Sequence, residues 1–357
     1  MTYNILIFGA SYGSLLASKL LLAGHSVTLA CPKAEADLIN AEGFRVRIPV
    51  RGRKDPVVVD SRNLSGKVSA AEPSQVDPKN FDLVVLTMQE PQTKLPEVAA
   101  FLDAVAKSGK PCVALMNMPP LAYMKRLPRI NADALKTAYS APEVWAGFET
   151  GTLTLCSPDA QAIRPPEEKA NVLQVTLPTN LKSAGFADAG STAMLRQLEN
   201  DITAIRFDAE EGPIELPVKL RVHDSLFAPL AKWPMLITGN YRCVTENGIR
   251  TAQEAVHTDL EESRSLYEFV NRVCSELGAA PEDLVAFEKY AAAAQSLVRP
   301  SATARAIDNG DTTIERVDKL VQLTAAQLGL SHPVLDAIVA LVDRRIARNI
   351  EAASTPA

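Results

Sequence analysis

The chain has 357 residues, of which 47% are hydrophobic and 22% charged, a composition typical of a soluble globular protein. At this length two domains are expected rather than one. The formal net charge of −5 argues against a nucleic-acid partner, and no apolar run approaches the roughly 20 residues that span a membrane. The amino end lacks the pattern of a signal peptide, so we expect a cytoplasmic protein without a membrane partner.

Strand and helix signals alternate through the first half of the chain. They lie in the order strand 4–10, helix 14–25, strand 26–31, strand 81–88, helix 95–109 and strand 111–118. This alternation, with glycines at the turns, is typical of a doubly wound parallel sheet. Shorter strands at 152–157, 171–177 and 214–222 are expected to extend this sheet or to form an antiparallel flap.

The second half of the chain has the apolar spacing of helices. Residues 254–278, 312–329 and 333–350 each predict a helix, and Gly278 and Gly329 mark two of the ends. The fold class is therefore α/β, with a Rossmann-like, parallel-sheet domain followed by an all-α domain. We place the boundary near residue 215, which gives domains 1–215 and 216–357.

A glycine turn separates the first strand from the first helix. At this place in a Rossmann-like domain the helix amides bind a dinucleotide pyrophosphate. The candidate cofactor-binding residues are Gly9, Ala10, Ser11, Tyr12 and Gly13. The spacing departs from GxGxxG, because the turn is one residue shorter or because Ser11 and Ser14 replace two glycines. The alternative is a plain tight turn between strand and helix.

The end of the second strand bears on the choice of cofactor. NAD sites usually have an acidic residue here for the ribose hydroxyls, but the first acid is Glu35. Lys33 is placed to pair with a 2′-phosphate instead, so NADP is expected, with NAD as the alternative. A solvated loop lysine is the other interpretation of Lys33. The basic run between Arg45 and Lys54 is interpreted as one solvated face of a hairpin.

Five cysteines, all without a CxxC partner, indicate reduced thiols and no metal site. They are Cys31, Cys112, Cys156, Cys243 and Cys274. Only four histidines are present, and His223, next to Asp224, is an alternative candidate for a general acid.

Four motifs, in their order along the chain, resemble those of the ketopantoate reductase (2-dehydropantoate 2-reductase) family. They are DLVVLTMQEPQT (82–93), PCVALMNM (111–118), LAKWPMLITGN (230–240) and the segment from Arg299 to Val334. The resemblance covers most of the chain except about 150–220, which is longer than usual. It implies an NADP-binding domain and a helical domain like that of 6-phosphogluconate dehydrogenase.

The resemblance also implies roles for individual residues. The catalytic lysine is Lys232, and the cofactor-side asparagine is Asn117. Gln89 stands where the family has a lysine near the cofactor. Substrate-binding positions are Asn240, Ser301, Thr313 and Glu315. Thr313 stands at the place of the family's glutamate, twelve residues after the serine, and Glu315 lies two residues further on.

Several of these residues also have structural interpretations. Ser301 equally suits a helix N-cap, and Thr312 to Glu315 fits a capping box. Lys232 suits a side chain that extends from a helix end to solvent. Leu236 replaces the asparagine that the family has four residues after its lysine, so we expect a substrate other than ketopantoate.

The expected function is hydride transfer between NADP and a small 2-oxo or 2-hydroxy acid, or a related carbonyl, with Lys232 as proton donor. Two alternatives remain. One is an imine reductase of the opine-forming type, and the other is a catalytically silent NADP-binding sensor. A homodimer through the long helices is expected, with a small-molecule substrate as the other partner.

Overall fold

A computed structural model describes residues 1–354. Contacts divide the chain into two compact units, of which the first comprises 1–123 and 143–224 and the second comprises 124–142 and the residues from Ser225 onward. The predicted domains 1–215 and 216–357 stay a prediction.

Most of the strands lie in the first unit. In chain order they are β1 (Asn4–Phe8), β2 (Ser26–Ala30), β3 (Arg45–Ile48), β4 (Val57–Asp60), β5 (Val68–Ala71), β6 (Leu83–Leu86), β7 (Cys112–Leu115), β8 (Leu153–Ser157), β9 (Gln161–Ile163), β10 (Val172–Leu177), β11 (Leu181–Ala184), β12 (Phe207–Ala209), β13 (Gly212–Ile214), β14 (Leu220–His223), β15 (Val244–Thr245) and β16 (Gly248–Ile249).

The helices are distributed over both units. In chain order they are α1 (Ala10–Leu22), α2 (Lys33–Glu42), α3 (Pro96–Ser108), α4 (Leu121–Met124), α5 (Ala189–Ala204), α6 (Trp233–Met235), α7 (Ala252–His257), α8 (Leu260–Leu277), α9 (Phe287–Ala294), α10 (Ala302–Asp308), α11 (Val317–Gln327) and α12 (Pro333–Ser354). Within residues 1–354, none of these helices combines the length and apolar character needed to cross a bilayer.

The main sheet has eight strands in the order β14-β11-β8-β7-β6-β1-β2-β5. From β5 to β8 all neighbours are parallel, and this is the strand order of a Rossmann fold. The predicted α/β fold with a parallel amino-terminal sheet is thereby confirmed. Strand β11 joins β8 antiparallel, and β14 joins β11 parallel.

The late strands follow both of the predicted alternatives. β8, β11 and β14 extend the main sheet, whereas β9 and β10 join β3 and β4 in a second, four-stranded sheet. The basic side chains of that hairpin form ion pairs across the second sheet and beyond it. Arg45 pairs with Asp60, and Arg47 pairs with Glu168. Arg51 and Lys54, in the same basic run, are exposed.

Burial explains why the central strands read as continuous apolar runs. All four residues of β6 and all four of β7 are buried, as expected for strands covered on both faces. The five cysteines are buried.

The second unit is mainly helical, and one of its predicted helices is divided in two. The single helix expected over 254–278 is interrupted, because the Asp259 carboxylate accepts a 2.9 Å hydrogen bond from the Glu262 N–H and starts a new helix there. That helix, α8, ends at Gly278, whose φ of 123° suits glycine.

Candidate active site

The glycine turn is a single residue long. Strand β1 ends at Phe8, Gly9 has φ 98°, and α1 begins at Ala10. A Cβ on Gly9 would lie 2.6 Å from the Thr87 carbonyl oxygen, and one on Gly13 would lie 2.7 Å from Ile7 Cγ2. Both glycines are therefore required for α1 to pack against β1 and the end of β6.

The amino end of α1 suits an anion. Among the described residues, no side chain caps this end, and its first turn contains no acidic residue. Helix geometry leaves its first N–H groups without intrahelical acceptors, and the helix dipole favours negative charge at this end. The backbone of Ala10, Ser11 and Tyr12 therefore fits the pyrophosphate of a dinucleotide. The Tyr12 hydroxyl is used elsewhere, since it donates to the Ala160 carbonyl at 2.7 Å.

The parallel strands bring the predicted cofactor residues to one edge of the sheet. Gly9 follows β1, Gln89 follows β6 and Asn117 follows β7, and these three strands are neighbours. Their carboxyl ends form the edge at which open α/β sheets bind ligands. The backbone N–H of Gln89 donates to Gln92 Oε1 at 2.9 Å, and its side chain is exposed. Asn117 is half-buried.

The end of β2 carries two ion pairs. Lys33 is the first residue of α2, and its Nζ lies 2.9 Å from Asp37 Oδ2, with 69% of the lysine side chain exposed. The hydrogen bond to Asp37 raises the pKa of Lys33. Two residues further on, Glu35 pairs with Arg164. Sequence reasoning missed Arg164, because nothing in its local sequence connects it with α2.

The lysine segment is helical, but it is not a regular α-helix. A 3₁₀ segment ends at Lys232, α6 follows, and residues 236–240 form a π-helix. Lys232, Leu236 and Asn240 are spaced four residues apart, but they do not align on one face as they would on a regular α-helix. Lys232 and Asn240 are half-buried and Leu236 is buried. π-Helical turns are rare and often occur at functional sites.

The π-helix depends on a tyrosine from α9. The Tyr290 hydroxyl donates to the Met235 carbonyl at 3.1 Å. A Cβ on Gly239 would lie 1.8 Å from the same hydroxyl oxygen. Gly239 is therefore present because the tyrosine hydroxyl occupies the space that any side chain there would need.

Two of the predicted substrate positions are in direct contact. Ser301 Oγ donates to the Asn240 carbonyl at 2.8 Å and accepts from the Ala304 N–H at 3.1 Å. Ser301 is thus the N-cap of α10, as one interpretation of the sequence held. The bond to Asn240 joins the start of α10 to the end of the π-helix.

The capping box over Thr312 to Glu315 is wrong. Helix α11 begins only at Val317, and Arg316 is its N-cap. Tyr241 holds the chain before this helix: its hydroxyl donates to the Glu315 carbonyl at 2.5 Å and accepts from the Val317 N–H at 2.8 Å. Thr313 is exposed and Glu315 half-buried. The segment that contains both residues is thereby tied to the carboxyl end of the lysine segment.

Comparison with solved structures identifies the class of fold. At 14% identity, the 2-dehydropantoate 2-reductase from Methylococcus capsulatus aligns over 99% of this chain and 98% of its own, with a TM-score of 0.66. The dimeric ketopantoate reductase from Staphylococcus aureus aligns at 12% identity over 97% and 99%, with a TM-score of 0.60. The fold of this chain is thus the ketopantoate reductase fold.

A third neighbour carries bound ligands. It is a ternary structure of D-mandelate dehydrogenase with NADH and anilino(oxo)acetate, which aligns at 14% identity over 97% of this chain and 99% of its own, with a TM-score of 0.61. No protein-family model and no curated protein matches the sequence. Shared structure with little shared sequence fits a fold retained while side chains diverged.

Proposed function

We propose that the protein is an NADP-dependent oxidoreductase acting on a small 2-oxo or 2-hydroxy acid or a related carbonyl. The observation that carries the proposal is the uncapped amino end of α1 behind Gly9, at the carboxyl edge of a parallel sheet with Rossmann strand order. The structural neighbours support it, since they include two ketopantoate reductases and a D-mandelate dehydrogenase.

The residues proposed to bind the cofactor are those at that edge of the sheet. The backbone of residues 9–13 would hold the pyrophosphate, with Gln89 and Asn117 at the ends of the adjacent strands. Lys33 stays a proposed contact of the 2′-phosphate, although it already pairs with Asp37. When bound, the reduced nicotinamide supplies a hydride.

Lys232 is the proposed proton donor to the carbonyl oxygen of the substrate. A lysine in this role needs a half-buried position, because partial desolvation favours release of its proton. Its place beside a π-helix supports the proposal, as does its match to the family motif.

Asn240, Ser301, Thr313 and Glu315 are proposed to bind the substrate. The Ser301 hydroxyl already donates its hydrogen to Asn240, so toward a substrate it can only accept a hydrogen bond. This favours a substrate that presents a hydroxyl or N–H group at that point.

The test is a panel of 2-oxo acids and imines assayed for NADPH oxidation, with Lys232→Ala measured on every active compound. We expect kcat to fall about 10²–10⁴-fold, the usual value of general-acid catalysis, while NADPH affinity stays close to wild type. Lys232→Arg should restore little, because guanidinium does not release its proton.

Three outcomes would contradict the proposal. A near-wild-type kcat in Lys232→Ala would move the acid role to another group or to water. Tight NADPH binding without turnover of any compound would favour the sensor alternative, and turnover of imines alone would favour the opine-type one.

We further propose that the protein is cytoplasmic and that it forms a homodimer, the latter by analogy with the dimeric ketopantoate reductase from Staphylococcus aureus. Light scattering coupled to size exclusion should give twice the mass of the chain, and a monomer at assay concentration would contradict this.

A further inference from the structure

An arginine from the second sheet lies at the end of β2. Arg164 directly follows β9 and forms an ion pair with Glu35, in the first turn of α2. Side-chain exposure is 33% for Arg164 and 13% for Glu35, so solvent and a ligand can reach the pair. The buried thiol of Cys31, the residue after β2, lies within the electrostatic reach of both; burial is the main cause that raises its pKa to about 12.

The segment that carries Arg164, residues 159–164, is held in place at several points. The Tyr12 hydroxyl donates to the carbonyl of Ala160, which joins the segment to the first turn of α1. Lys182 lies 3.4 Å from the Asp159 carboxylate, and Thr179 Oγ1 donates to the Asp159 carbonyl at 2.7 Å. The segment therefore contacts α1 at Ala160 and α2 at Arg164.

The two charges of this pair suit two different cofactors. In Rossmann-like domains a carboxylate near the end of the second strand binds the ribose hydroxyls of NAD, whereas an arginine binds the 2′-phosphate of NADP. Arginine does so with a planar fork of donors, which suits phosphate better than an ammonium does. Lys33, the other cation here, is more exposed and has Asp37 as its partner.

We propose that Arg164 is the principal contact of the cofactor 2′-phosphate and that Glu35 competes with the phosphate for it. The Arg164–Glu35 pair then sets the preference between NADPH and NADH. This inference rests on the proposed function, since it presupposes a nicotinamide dinucleotide at the edge of the sheet.

Removal of the Glu35 charge and removal of the Arg164 charge should change the affinity for NADPH in opposite directions. Binding of NADPH must separate Arg164 from Glu35 and leaves the Glu35 carboxylate near a phosphate of like charge. Removal of the Glu35 charge relieves both effects and should strengthen NADPH binding. Removal of the Arg164 charge deletes the phosphate contact and leaves the ribose hydroxyls of NADH unaffected.

The experiment measures dissociation constants of NADPH and NADH by calorimetry for the wild-type chain, Arg164→Gln, Glu35→Gln and Lys33→Ala. We expect Arg164→Gln to raise the dissociation constant of NADPH about ten- to a hundredfold, the range for hydrogen bonds to a charged group. The dissociation constant of NADH should change less than about threefold. Glu35→Gln should strengthen NADPH at least threefold. Lys33→Ala is the matched control, and its loss should be smaller than that of Arg164→Gln.

Arg164→Lys distinguishes loss of the phosphate contact from misfolding, because it keeps the positive charge. Its NADPH dissociation constant should lie between those of wild type and Arg164→Gln. If the ratio of the NADPH and NADH dissociation constants is the same in Arg164→Gln as in wild type, the inference is overturned while the proposed function stays intact. A wild-type chain that binds neither nucleotide would overturn both. A larger loss in Lys33→Ala than in Arg164→Gln would assign the phosphate to the lysine.

Discussion

Lys19 shows how strongly a single residue depends on its surroundings. It lies in the middle of α1 with 3% of its surface exposed, and its Nζ donates to the Pro217 carbonyl at 2.5 Å. Burial, and in second place the charge of Lys219, lowers its pKa to about 7. The ammonium is thus disfavoured in the folded chain, whereas a lysine in the unfolded chain has a pKa of about 10.4.

The sign of the resulting pH effect follows from proton uptake. Between pH 7 and 10 the unfolded chain binds more protons at Lys19 than the folded chain, so this residue makes stability rise with pH. We expect the unfolding free energy of wild type minus that of Lys19→Met to increase by on the order of 3 kcal/mol from pH 7 to 10. Urea denaturation at both pH values measures it.

Lys54→Met, at an exposed position, provides the control for Lys19, and the pH dependence measured for Lys19→Met should clearly exceed that for Lys54→Met. Taking differences between variant and wild type removes the contributions of tyrosines and cysteines, which titrate in the same range. A pH-independent difference for Lys19→Met would show that the Lys19 ammonium is stable in its buried position.

At the scale of elements, the π-helix after α6 depends on contacts with α9. Gly239→Ala places a Cβ 1.8 Å from the Tyr290 hydroxyl oxygen, so it should destabilise the chain by about 1–3 kcal/mol, as overpacking does. Tyr290→Phe loses the hydrogen bond to Met235, worth about 1 kcal/mol. In the double variant the nearest ring atom, Cζ, is 3.2 Å away, which needs only a small shift.

The double variant Gly239→Ala with Tyr290→Phe should therefore be more stable than the sum of the single effects predicts, by at least about 1 kcal/mol. A double-mutant cycle from urea denaturation gives this coupling energy. Strictly additive losses would mean that the π-helix adapts to a side chain at position 239 without help from Tyr290.

For the whole molecule, the proposed cofactor site predicts stabilisation of the first unit by NADPH. The chain has two tryptophans, of which Trp145 is in the first unit and Trp233 in the second, both buried. A ligand at 100 times its dissociation constant stabilises a folded state by about 2.7 kcal/mol.

With Trp233→Phe as background, Trp145 fluorescence in a urea titration should report this stabilisation by NADPH. Inorganic phosphate at the same ionic strength is the control and should have little effect. No shift of the Trp145 transition at saturating NADPH would contradict the placement of the cofactor on the first unit.

The sequence alone determined the elements whose signals are local. The apolar run of β1, the following glycine and the helix of α1 are neighbours in the chain, so periodicity and turn residues suffice to predict them. The parallel topology followed from the same alternation, because parallel strands need crossover connections. Gly278 marked the end of α8 because a positive φ there suits glycine.

The tertiary structure decided the features that depend on residues far apart in the chain. Thr312 to Glu315 has the local pattern of a capping box, but bonds from Tyr241 hold this stretch in another conformation, and α11 starts at Val317. Arg164 meets Glu35 only because β10 pairs with β9 and β3 in the second sheet, and no local pattern records that pairing. Long-range contacts choose among conformations that local propensity leaves nearly equal in free energy, so only the fold could reveal them.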